Sequence, residues 1–248
     1  MVRSLIRRSA IAGAAVVGAE AVIAVLRPAP RLPHFDPSGE YGDVGLPELR
    51  VAVLGDSSVT APGVTTAAEI WVARVCARLG ETRHVILKSF AIGGSMAHHV
   101  IESQLEDAII FGPDLILLSV GANDVIKGVS RRRFADNLDR LVGELADTGA
   151  VVVQSGVGVL GTIPRLYPPL STLVSRRARR FDRVHWKVAQ RHGTHVVDQR
   201  SDDWAVWNRD RSLWAEDYFH VSPAGHARWA ETTWRTVGPL FAPDDGPG

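Results

Sequence analysis

Five short apolar runs recur along the chain, near 50–54, 85–90, 114–119, 150–155 and 194–197, and longer amphipathic segments separate them. The short runs read as strands, while helical periodicity predicts helices around 66–79, 96–110, 132–147, 170–191 and 223–237. Pro113 and Gly149 close two of these helices. Strands alternating with helices of this length predict an α/β fold, a three-layer doubly wound sheet of about five parallel strands. No internal repeat or low-complexity tract interrupts the pattern.

The N-terminus departs from it. Arg3, Arg7 and Arg8 precede an apolar stretch from Ser9 to Leu26 broken only by Glu20, the layout of a secretory signal or a membrane anchor. Arg7-Arg8 lacks the bulky pair that follows a twin-arginine signal, and the stretch is slightly shorter than the roughly 20 apolar residues of a usual span. Pro28, Pro30, Pro33, Pro37 and Pro47, with Gly39, Gly42 and Gly45, then mark an extended linker. The expected organisation is a signal or anchor over 1–26, a linker over 27–48, one domain over 49–240 and a flexible tail over 241–248. Such a chain is exported or anchored with its domain outside the cytoplasm; the alternative is a cytoplasmic protein whose first helix packs on the domain or lies at a membrane surface.

Composition narrows the classes of function. The 248 residues carry a net charge of +1, so no overall field recruits nucleic acid. Cys76 is the only cysteine, which rules out an intrachain disulfide, and its spacing from Ile70, Val72 and Leu79 predicts a buried helix position. His98 and His99 are adjacent and have no carboxylate at zinc-motif spacing, so no metal site is expected. Gly156-Val157-Gly158-Val159-Leu160-Gly161 matches a dinucleotide fingerprint, with Asp182 farther along. Pro164, Pro168 and Pro169 prevent the helix that this motif requires, so no cofactor is expected, and Ile163 to Leu170 reads as a loop bordering a cleft. Arg176, Arg180, Arg183 and Lys187, with Arg177 and Arg179 nearby, form a basic stripe suited to a solvated face or to anionic headgroups. Trp204, Trp207 and Trp214 suit core packing or the wall of an acyl pocket.

Four blocks carry candidate chemistry. Gly55-Asp56-Ser57-Ser58 directly follows the apolar run Leu49 to Leu54, placing a serine at the end of a parallel strand, where open α/β sheets bind ligands. Gly93-Gly94-Ser95 follows the second strand, Gly121-Ala122-Asn123-Asp124 the third, and Asp217-Tyr218-Phe219-His220 lies near the C-terminus. In that order they resemble the SGNH branch of the GDSL esterase and lipase family, over most of residues 49 to 238. Ser58 stands where many members have leucine.

The resemblance implies Ser57 as nucleophile and Asp217 and His220 as acid and base. It also implies an oxyanion hole made of the Ser57 N–H, the Gly94 N–H and the Asn123 amide. A serine hydroxyl needs a base in reach, and the base needs a third group to fix its tautomer; three residues apart, Asp217 and His220 can present both from one turn. The family strand order, 2-1-3-4-5, would set Ser57, Gly94 and Asn123 side by side. The activity implied is a metal-free and cofactor-free serine esterase, acting on small or lipid-like carboxylic esters through an acyl-enzyme. Alternatives are an acyltransferase or deacetylase acting on cell-envelope glycan or lipid, and a non-catalytic binding module.

Overall fold

A computed structural model describes residues 18–23, 26–200 and 204–242. Its strands are β1 (Gly39–Tyr41), β2 (Glu48–Gly55), β3 (His84–Ser89), β4 (Leu115–Ser119), β5 (Val151–Ser155) and β6 (His195–Val197). They form one sheet in the order β1-β3-β2-β4-β5-β6. The last five of that order are mutually parallel and reproduce the expected sequence of strands.

The central strands are apolar throughout because both of their faces are covered. Along β2 and β4, Val51, Val53, Leu115 and Leu117 point into a core with α2 (Trp71–Leu79) and α9 (Pro223–Val237). Ala52, Leu54, Ile116 and Leu118 point the other way, into a core with α6 (Arg131–Ala146) and α7 (Leu170–His192). The register pairs Leu54 with Leu118 and Gly55 with Ser119, so β2 and β4 end flush and the loops after them leave the sheet side by side.

One predicted helix is two. The pattern over 96–110 resolves into α3 (Ala97–Ser103) and α4 (Leu105–Ile110), which meet at Gln104, whose backbone (φ −131°) leaves the helical range. Its side chain is buried and committed to the last residue of β2, as described below.

The expected linker over 27–48 is partly built into the domain. Gly39–Tyr41 adds an antiparallel edge strand to β3. Phe35 packs on the core, its N–H donates to the Thr60 carbonyl at 2.8 Å, and the His34 ring lies 2.7 Å from the Thr60 hydroxyl. With few apolar residues and one paired edge, this segment lacks the alternation that reveals a strand. Of the predicted signal or anchor, residues 1–17 and 24–25 lie outside the described residues, as do 243–248 of the expected tail. Residues 18–23 are helical, and Glu20 accepts a hydrogen bond from the Leu170 N–H at 2.9 Å. No helix among the described residues is long and apolar enough to cross a membrane.

A truncation prediction follows from these contacts. Removing residues 1–26 should leave the melting temperature within a few degrees of the full chain. Removing 1–47 should lower it by about 5 °C or more, since loss of the Phe35 packing and of β1 costs at least about 2 kcal/mol. Thermal melts of the two truncations check this, and equal melting temperatures would contradict it.

Candidate active site

The geometry begins at Gly55. There φ is +154° and a Cβ would fall 2.3 Å from the Ser119 carbonyl oxygen, so only glycine lets β2 and β4 approach this closely. Gln104 holds the same residue from the other side: its Oε1 accepts from the Gly55 N–H and its Nε2 donates to the Gly55 carbonyl, each at 2.9 Å, with Ser95 Oγ at 3.2 Å. One buried amide thus meets both backbone groups at the end of β2, and the Gly55 carbonyl also accepts from the Ile92 N–H at 3.2 Å.

Asp56 comes next and caps α1 (Ser57–Thr60), accepting from the Ser58 N–H at 2.9 Å. Its carboxylate is buried, which raises its pKa; the donors Ser58 and Asn123 work against that rise. Ser57, first residue of this turn, is partly exposed. The turn is held from beneath, where Trp71 Nε1 donates to the Ser58 carbonyl at 2.9 Å. Trp71 stacks on Trp229 with ring centroids 5.5 Å apart, and Trp229 stacks on His226. His226 Nδ1 accepts from the Trp71 N–H at 3.3 Å; burial, reinforced by Arg74, pushes its pKa down to about 3, so the ring is neutral and can accept. The Ser58 hydroxyl, where many family members have leucine, lies 2.7 Å from that of Ser119.

Asn123 sits in α5 (Ala122–Ile126), and its Nδ2 donates to Asp56 Oδ2 at 2.9 Å. An amide nitrogen carries two hydrogens, so this bond orients the group and leaves one hydrogen for a ligand. The next residue, Asp124, is buried and ties α5 to α3 by accepting from the Ala97 N–H at 3.0 Å. Gly94 occupies a turn closed by the Ser95 N–H to the Ile92 carbonyl at 3.2 Å, and its φ of +82° suits glycine. Lys127 Nζ donates to the Gly94 carbonyl at 2.9 Å, so this turn is tethered just beyond α5.

The last block forms a tight loop ahead of α9. Asp217 Oδ2 lies 2.5 Å from His220 Nδ1, and Oδ1 accepts from the N–H groups of Phe219 and His220, each at 2.9 Å. Burial alone would raise the Asp217 carboxyl, but these hydrogen bonds outweigh it and hold the group below the usual carboxylate range. An ionised carboxylate only accepts, so Nδ1 donates and Nε2 is left to take a proton. Arg165 braces the loop: its N–H donates to the Tyr218 carbonyl and its guanidinium to the Asp217 carbonyl, both at 3.1 Å.

Ser57, Asn123 and His220 line one cleft, which encloses about 940 Å³ including its open mouth. Asp217 stands behind His220, and Gly94 is not among the lining residues. The cleft is walled mainly by apolar groups, among them Val157, Leu160, Ile163, Trp207, Trp214 and Phe219. Trp207 and Trp214 pack edge to face at 5.6 Å in a small core with Leu213 and Ile163, and both also line the cleft. The side chain of Trp204 lies outside the described residues.

The glycine-rich segment after β5 forms part of this wall, and no long helix begins there, since α7 starts only at Leu170. Asp182 accepts from the Val157 N–H and pairs with Arg200, both at 2.8 Å, which fixes the segment as a cleft wall. Among the described residues no group of three or more His, Cys, Asp or Glu could hold a metal ion. Cys76 is buried in the core, and burial raises its thiol pKa, leaving it unreactive.

Gln104, Trp71, His226 and Arg165 were not legible as site residues. Each acts on a segment distant in sequence, and none belongs to a motif.

Solved structures share this architecture. LAE5, an α/β hydrolase enzyme from the metagenome of Lake Arreo, superposes with a TM-score of 0.64 at 21% identity, covering 79% of this chain and 97% of that one. TesA gives 0.63 at 24% identity, covering 77% and 99%. The acetylxylan esterase Axe2 of Geobacillus stearothermophilus gives 0.64 at 20% identity, covering 78% and 95%. In sequence, the GDSL-like esterase Rv1075c of Mycobacterium tuberculosis is 29% identical over 154 residues, 59% of this chain; the chain spans about half of that relative's length, 48%. Residues 53–228, from the middle of β2 into α9 and so including all four blocks, match the GDSL-like Lipase/Acylhydrolase family, to which this chain belongs.

Proposed function

We propose that the chain is a serine esterase that hydrolyses carboxylic esters through an acyl-enzyme. The observation that carries this reading is the Asp217–His220 pair, with Nδ1 committed to the carboxylate, in the same cleft as Ser57. Ser57 Oγ attacks the ester carbonyl while His220 Nε2 takes its proton; His220 then returns that proton to the departing alcohol, leaving an acyl-Ser57 ester. Water, deprotonated by His220, attacks this ester and releases the acid and free Ser57. Negative charge on the carbonyl oxygen is met by the Ser57 N–H and the free hydrogen of Asn123 Nδ2. The third donor in this reading is the Gly94 N–H; Gly94 itself is not among the residues lining the cleft, and a side chain there would meet nothing within 4 Å.

The wall of the cleft supports a reading of the substrate class. The side chains lining the cleft include many apolar ones and no Lys or Arg, which favours an ester with an apolar acyl or alkyl group over a polyanionic one. The test is labelling by a fluorophosphonate probe together with hydrolysis across ester chain lengths. Covalent labelling at Ser57 and a preference for apolar chains are expected, and an unlabelled serine would reject the reading. We also assign the domain to the outside of the cytoplasm, on the strength of the basic and apolar N-terminal sequence. Cell fractionation should find the full chain in the membrane or exported fraction and the chain lacking 1–26 inside the cell, with none exported.

Two further outcomes test the assignments. Asn123→Ala should lower kcat by about 10²- to 10³-fold with KM little changed, because its amide acts on the transition-state oxyanion. A rise confined to KM would make Asn123 a ground-state binding residue. The acid limb of kcat/KM should have unit slope, since a protonated imidazole cannot accept the serine proton while Asp217, held below the ordinary range, stays ionised. A slope of two would mean that both groups titrate together.

A further inference from the structure

Between Leu170 and His192, α7 carries seven cations and one acid, Asp182, although the whole chain has a net charge of only +1. Two of the seven are engaged within the domain: Arg177 donates to the Val125 and Val129 carbonyls, and Arg191 pairs with Asp139. The other five, Arg176, Arg179, Arg180, Arg183 and Lys187, are exposed, and none forms a salt bridge with a described residue. At about 100° per residue they share one face of the helix. Like charges three and four residues apart oppose helix formation, so a face meant only for water gains from interspersed acids, which this one lacks.

Apolar groups border the cations. Trp186 is 50% exposed at the edge of the same face, and Leu173 is 45% exposed toward its start. The first segment of the chain arrives at this end of α7: the Leu170 N–H donates to Glu20, and Arg27 lies over the Tyr218 ring of the catalytic loop. On that segment Ile23 and Leu26 are 62% and 73% exposed. A nucleic acid would account for the cations but not for these apolar neighbours, whereas a membrane interface takes both.

We propose that the exposed face of α7 docks on an anionic lipid bilayer, its five cations against the headgroups and Trp186 at the interface. The catalytic loop is braced to the arriving N-terminal segment, so docking would hold the cleft beside a source of apolar esters.

Partition of the full chain into vesicles of phosphatidylcholine, with and without 30 mol% phosphatidylglycerol (about one lipid in three, enough to set an anionic surface), tests the proposal. Each cation near such a surface is worth roughly five-fold, so replacing all five by Gln should lower the preference for anionic vesicles by about 10²-fold or more. Raising the salt should lower the wild-type preference in the same direction. Replacing the four arginines among them by Lys should retain it, which separates charge from folding, and hydrolysis of a soluble ester should stay unchanged in both variants. No preference in the wild type, an equal preference in the Gln variant, or loss in the Lys variant would overturn the proposal. So would charge-dependent retention on a DNA duplex without any vesicle preference, which would assign the face to nucleic acid.

Discussion

Replacing Ser57 with alanine should lower ester hydrolysis by about 10⁶-fold and abolish fluorophosphonate labelling, because removal of the nucleophile in a triad enzyme costs about as much as removal of the whole triad. The fold should survive. Ser57 contributes no hydrogen bond of its side chain to the network that holds the turn; that network runs through Asp56, the Ser58 carbonyl, Gly55 and Gln104. The melting temperature should therefore remain within a few degrees of the parent. Steady-state rates with an apolar ester, read beside a thermal melt, decide the matter. Turnover within tenfold of the parent in a folded variant would exclude Ser57 as nucleophile.

Asp217→Asn should cost about 10⁴-fold in turnover while His220 stays in place. The amide keeps the size of the carboxylate and can still accept from the Phe219 and His220 N–H groups through its oxygen. Its nitrogen then faces Nδ1 and donates, which puts the imidazole proton on Nε2 and blocks uptake of the serine proton. Because the fold holds Asp217 below its unfolded value, the carboxylate stabilises the protein above the usual carboxylate range and loses that contribution as pH falls through the lowered value. The variant should lose this acid-side dependence of stability as well as its activity. Melts from neutral to acidic pH, set beside kcat measurements, check both, and near-parental turnover would show that Asp217 does not set the tautomer.

The sheet was readable because its signals are local and strong. β2, β4 and β5 are runs of Val, Leu and Ile bounded by turn residues, and covered faces on both sides keep polar positions out of most of each run. β1 gave no such signal: three residues paired along one edge need neither an apolar run nor alternation. The split at Gln104 was equally hidden, since the helical pattern continues through it and the break exists to turn an amide toward Gly55, 49 residues away. The site divides in the same manner. Ser57, Asn123 and His220 stand at strand or helix boundaries within short motifs, whereas the Trp71, Trp229 and His226 stack joins two helices more than a hundred residues apart and shows only in three dimensions. Asp56 lay inside a recognised motif, yet its link to Asn123 becomes visible only once β2 and β4 are paired.

That pairing also separates the proposed catalytic groups by the order in which a folding chain can assemble them. Asp217 and His220 lie within one loop and meet through a contact of the lowest sequence separation. Ser57 and Asn123 are brought together only when β2 and β4 register in parallel across an intervening segment that holds all of β3, α3 and α4. Parallel pairing across such loops is slow, because closure entropy is spent before the contacts form. The proposed acid–base pair can thus exist in a partly folded chain that has no aligned oxyanion site, so in this reading a chain emerging unfolded would acquire hydrolytic activity only with its central sheet.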